Sequence, residues 1–108
     1  MSLNKELKRE NKNINSHAFY QVALDHFPFI RKNNLYAIKG IEGVTAEIYR
    51  GDFHGLLNHL GEIPDFNRIQ TAFNNLRSPL DFNGIETSIR LISKEYLTKL
   101  FAIHKVQM

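Results

Sequence analysis

The chain has no cysteine, no tryptophan, only three prolines and no long apolar run. Without cysteine there can be no disulfide scaffold, thiolate zinc site, iron–sulfur cluster or cysteine nucleophile. The unbroken apolar stretches, such as Phe101-Ala102-Ile103, are only a few residues long, far short of the ~20 needed to span a bilayer. The first ten residues are positively charged but have no apolar core behind them, which is not a secretory pattern. The expectation is a protein of the reducing cytoplasm with no membrane contact. Also missing are a Gly-x-Ser-x-Gly elbow, a glycine-rich phosphate loop and any His-x-x-x-His or Glu-x-x-His spacing. No metal, cofactor or catalytic residue is therefore expected, and the reading leans away from an enzyme.

What is present describes one ordinary domain. The 108 residues are 43% hydrophobic and 23% charged, with a formal net charge of +3 and a pI near 9.3. A basic balance points toward nucleic acid until it is divided along the chain. Residues 1–15 carry a net +2 and residues 84–108 another +2, while 16–83 hold six cations against seven acids. The excess thus belongs to the two ends, and the middle is slightly acidic.

Residues 1–15 are polar and asparagine-rich, with too few apolar residues to bury a face, and read as an arm ahead of a single domain over 16–108. Ser16 is placed to cap a helix over 16–27, whose apolar positions Phe19, Val22, Ala23, His26 and Phe27 recur three and four apart. Pro28 should stop or kink it, and Asn33-Asn34 marks a turn. Over 35–50, two runs rich in β-branched and aromatic residues flank Gly40-Ile41-Glu42-Gly43, which predicts a β-hairpin. Asp52 should cap a short helix over 52–60 that closes at Gly61, and a second helix over 65–77 follows Pro64. Leu80-Asp81-Phe82 is a brief strand or a connector. Asn83, three residues before Glu86, resembles a capping box, and Ile85, Ile89, Ile92, Tyr96, Leu100 and Ile103 continue a helical stripe to the end. The expected fold is α+β: a β-hairpin packed on three to four helices, with a long C-terminal helix. If 45–60 is helical, an all-α bundle is the alternative.

Three constellations bear on function. Gly51-Asp52-Phe53-His54-Gly55 resembles the Gly-Asp-x-His-Gly opening of calcineurin-like metallophosphatases, in which Asp and His ligate one ion of a two-metal site. The resemblance covers five residues. The family's later Gly-Asp-x-x-Asp-Arg-Gly and Gly-Asn-His-Glu are absent, so Asp52 is expected as a helix cap and His54 as an exposed histidine. Helices 52–60 and 65–77 have the spacing of a helix-turn-helix, which would turn Asn67, Arg68, Gln70, Thr71, Asn74, Asn75 and Arg77 outward as a nucleic-acid face. Finally, eight phenylalanines and four tyrosines either fill the core or supply an interface. The reading placed first is a non-enzymatic protein–protein interaction module that self-associates, with a dimer favoured and a further protein partner unnamed. Its expected oligomer face is Ile89, Tyr96, Leu97, Leu100, Phe101 and Ile103 on the last helix. A nucleic-acid-binding protein is the alternative.

Overall fold

The apolar spacing at the start of the domain does form helix, in two pieces. A computed structural model describes residues 17–106, so the expected arm over 1–15 and the expected cap Ser16 lie outside the described residues. Helix α1 spans His17–Asp25 and α2 spans Phe27–Lys32, with His26 as the joint. Pro28 sits in the first turn of α2, where its missing N–H removes no intrahelical bond. Phe19, Ala23, Phe27 and Ile30 are all buried along this broken rod.

The turn at Asn33-Asn34 forms as expected. Asn34 has φ 53°, and the Leu35 N–H returns to the Ile30 carbonyl at 3.0 Å. This is a Schellman closure, which uses a left-handed residue to satisfy the last helical carbonyls. The same device ends two later helices. Gly61 (φ 81°) closes α4, Phe53–His59, and Asn75 (φ 63°) closes α5, Asn67–Phe73.

Strand β1, Tyr36–Gly40, leaves the first of these turns, but its partner is not the neighbouring segment. The expected hairpin over 35–50 is corrected: Gly43–Ile48 is helix α3, and the second strand is β2, Ser88–Ile92. The two strands are antiparallel, with Tyr36 opposite Ile92 and Gly40 opposite Ser88. Packing overrides local β preference here. As a helix, 43–48 buries only Ala46 and turns Val44 and Ile48 to solvent, whereas 88–92 brings buried Ile89 and Ile92 to the sheet. The α+β class therefore holds even though both 43–48 and 53–59 are helical.

Asp52 caps α4 as expected, its Oδ1 accepting the Gly55 N–H at 2.9 Å. The helix expected over 65–77 is shorter, a 3₁₀ turn at Pro64–Phe66 running into α5. Leu80-Asp81-Phe82 contributes a second 3₁₀ turn, Pro79–Asp81, opened by a capping box of Ser78 and Asp81. The last helix, α6, spans Lys94–Val106, a later start than expected. Asn83 caps no helix, because its Oδ1 accepts the Ile85 N–H two residues on. The start of α6 is marked instead by Ser93, whose Oγ accepts the Tyr96 N–H at 3.2 Å.

Two apolar clusters result. One gathers Phe19, Phe27, Ile30, Phe73 and Leu97 around Ile92. The other gathers Phe53, Leu56, Leu57 and Phe82 around Ile41 and Ile89. β2 lies between them, with residues on its two faces serving different clusters. Among the described residues no helix is long and apolar enough to cross a membrane.

Candidate functional site

A two-stranded sheet has two outer edges, and this chain treats them differently. The Ser93 N–H donates to the Leu35 carbonyl and the Ile41 N–H to the Thr87 carbonyl, both at 2.9 Å. With the observed register, these bonds make the odd-numbered residues of both strands the hydrogen-bonded pairs. The backbone groups of Ser88, Arg90 and Ile92 therefore point away from β1, and so do those of Tyr36, Ile38 and Gly40 away from β2.

On the β2 side two amide side chains take up the outward groups of Ile92 and Arg90, which leaves only Ser88 at the end of the strand. Gln70 donates from Nε2 to the Ile92 carbonyl at 3.1 Å, and its Oε1 accepts the Ile92 N–H at 2.9 Å. Asn74, one helical turn later, does the same for Arg90, at 2.7 Å and 2.8 Å. The i, i+4 spacing along α5 rises about 6 Å, close to the ~6.8 Å between alternate residues of a strand. Two amides on one helix face therefore stand in for a third strand.

On the β1 side nothing comparable exists. Among the described residues, no hydrogen bond is made by the outward backbone groups of Tyr36, Ile38 or Gly40. Ala37, Ile38, Lys39 and Gly40 are exposed, and the Ile38 side chain is 66% accessible. Val44, Ile48 and Ile85 are at least as exposed, but they offer apolar side chains without a row of free backbone groups. Beside the Tyr36 end of the strand lies a groove of about 630 Å³, lined by Ala37, Leu91, Glu62, Lys94 and Glu95. Lys94 Nζ pairs there with Glu62 Oε2 at 3.3 Å and also donates to the Gly61 carbonyl.

The expected nucleic-acid face divides. Asn67, Gln70 and Thr71 are buried. Asn67 Nδ2 donates to Asn58 Oδ1, and Thr71 Oγ1 donates back to the Asn67 carbonyl. Asn74 is committed to β2, and Asn75 is the residue that ends α5. Arg68 and Arg77 are exposed and line a hollow of about 220 Å³ with Tyr20 and His54. The Arg68 guanidinium lies 3.7 Å from the centroid of the Tyr20 ring. Burial lowers the His54 pKa from its ordinary 6.5, with the Asp52 carboxylate pulling the other way.

The expected oligomer face is mostly interior. Ile89, Leu97 and Leu100 are 4%, 0% and 7% exposed, Tyr96 and Phe101 are half-buried, and Ile103 alone is open, at 55%. Tyr96 uses its hydroxyl on His26 Nδ1 at 2.8 Å, and Phe101 meets Phe19 edge to face with centroids 5.1 Å apart. The residues that sequence reasoning missed are those of β1 itself. Their only signal was a β-prone run, and its expected hairpin partner over 43–48 is helix α3 instead.

No family model, curated protein or solved structure matches this chain.

Proposed function

We propose that this chain is a non-enzymatic protein–protein interaction module of the cytoplasm that binds by extending its two-stranded sheet at β1. The observation that supports this is the contrast between edges: Gln70 and Asn74 occupy two of the three outward positions of β2, while Tyr36, Ile38 and Gly40 leave all three free on β1. Exposed sheet edges are ready templates for another strand, and folded proteins usually blunt or cover them. Addition of an extended segment gives affinity through main-chain bonds and specificity through alternate side chains. Here the alternate side chains on one face are Tyr36 and Ile38, and on the other Lys39 and Ala37, the latter lining the groove.

A nucleic-acid reading has less to draw on. Its base-reading amides Asn67 and Gln70 are buried, which leaves Arg68 and Arg77 as phosphate contacts without readout.

The test is selection from a random-peptide display library on the intact protein, repeated with Ile38→Pro. Proline at that position removes only an outward N–H, so the sheet keeps its internal bonds while the edge loses a donor. Binders rich in β-branched residues that bind at least tenfold more weakly to Ile38→Pro are expected. Binders that ignore the substitution would place the working surface elsewhere.

A further inference from the structure

We infer that the strand taken up by this edge is β1 of a second copy, paired antiparallel about a two-fold axis through Ile38. The inference rests on the reading of β1 as the working edge and names its partner.

The argument comes from register. Only Tyr36, Ile38 and Gly40 present outward backbone groups, so an added strand must pair at those positions. With Ile38 opposite Ile38 of the second copy, Tyr36 falls opposite Gly40 and Gly40 opposite Tyr36. Every outward N–H and C=O of β1 then meets a partner, and each bond has a symmetric twin, as an isologous interface requires. Sliding by one pair toward the C-terminal end sets Lys39 against Lys39, two like charges directly opposite. Sliding the other way leaves Gly40 unpaired.

Side chains agree with that register on both faces. Ile38, 66% exposed, covers its own counterpart, and Tyr36, whose ring packs against Phe73 of its own chain, falls opposite Gly40, where no side chain crowds it. On the other face Lys39 sits opposite Ala37 of the second copy. Ala37 lines the groove that also holds Glu62 and Glu95. Glu62 is paired there with Lys94, whereas Glu95 has no ion pair among the described residues, which leaves one carboxylate of the groove to face the incoming ammonium of Lys39. The product is a four-stranded sheet whose outer edges are both β2, each occupied by Gln70 at Ile92 and by Asn74 at Arg90, so that a single residue, Ser88, is left outward. Growth therefore stops at two copies.

Strands of five residues bury little area, below the range of permanent interfaces, so the dimer is expected to form reversibly at about 10 µM to 1 mM. The decisive experiment uses the full chain. Sedimentation or light scattering over that range is expected to show the mass rising toward twice that of the monomer. Amide exchange by NMR is expected to slow at Tyr36, Ile38 and Gly40 as concentration rises, and to stay unchanged at Ala37 and Lys39, which are bonded within the monomer. Ile38→Pro should remain monomeric and folded. Lys39→Glu should weaken association about tenfold or more. Because the native chain has no cysteine, Ile38→Cys supplies a single thiol per copy, and added oxidised glutathione, which takes up the two electrons and two protons, should link two copies by a disulfide.

A chain that stays monomeric at 1 mM overturns the inference, and so does a dimer in which those three amides keep their exchange rates. If selected peptides still bind in an Ile38-dependent way while the chain is monomeric, the partner is wrong and the proposed function stands. Should Ile38→Pro fail to fold, the exchange pattern of the wild type still decides.

Discussion

Gln70 is a polar residue only 1% exposed, and what stabilises it there is the backbone of Ile92. A buried amide costs free energy unless its donor and acceptor are both used, and here both are. Truncation is therefore more damaging than the loss of two ordinary bonds, because the Ile92 N–H and C=O are left without partners. Gln70→Ala is expected to cost about 2–4 kcal/mol in urea unfolding. Gln70→Glu should not rescue it, since a carboxylate cannot donate to the Ile92 carbonyl. Asn74 is partly exposed, so water can replace its bonds, and Asn74→Ala should cost nearer to about 1 kcal/mol.

His54 gives a residue-scale prediction in pH. Burial holds its pKa below 6.5 in the folded chain, so on acidification the unfolded chain takes up the proton first. Its contribution to stability is complete above the unfolded value and is lost as pH falls below about 6.5. The urea midpoint should drop between pH of about 7.5 and about 5.5, and His54→Gln should flatten part of that drop. An unchanged slope would mean the imidazole is solvated in both states.

Among elements, the sheet separates what sequence shows from what it hides. The stripes of α1 and α4, the Asp52 cap and the turns at Asn34 and Gly61 were legible because each depends on residues within one helix or turn. β2 was not. Ile85, Ile89, Ile92 and Tyr96 fall at helical spacing, yet Ile89 and Ile92 are both buried because the two faces of one strand meet different clusters. A strand half-buried on each side loses its alternation and imitates a helix. The amides of α5 mislead for a related reason. Gln70 and Asn74 look like a solvent face, and only the long-range arrival of β2 turns them inward. The open edge was illegible as well, since whether a strand has a second neighbour is a property of topology.

The register itself can be tested at this scale. Ala37 is in a hydrogen-bonded pair with Leu91, whereas Ile38 points its N–H outward. Ala37→Pro should therefore cost about 3 kcal/mol or more, while Ile38→Pro should cost little. Equal costs in thermal unfolding would mean that the alternation between inward and outward groups is misassigned.

For the whole molecule the question is whether two apolar clusters make one folding unit. They share β2: Ile92 packs in one and Ile89 in the other, and Gln70 of α5 holds that strand from its outer edge. Neither cluster can open without releasing the strand that the other packs against. Phe53 and Phe73 are 0% and 1% exposed, one in each cluster. Substituting either by alanine should cost about 3–5 kcal/mol, a large part of the ~5–15 kcal/mol of a typical domain. If the clusters unfold together, Phe53→Ala lowers the protection of amides in α1, such as Ala23, by as much as those in α4, such as Leu57. Native-state hydrogen exchange reads this directly. Loss of protection confined to α4 would instead divide the chain into two cooperative units. Combining Phe53→Ala with Gln70→Ala sharpens the test, because releasing β2 from α5 removes the tie itself. The pair should then lose less than the sum of their separate costs, since each substitution removes part of what the other depends on.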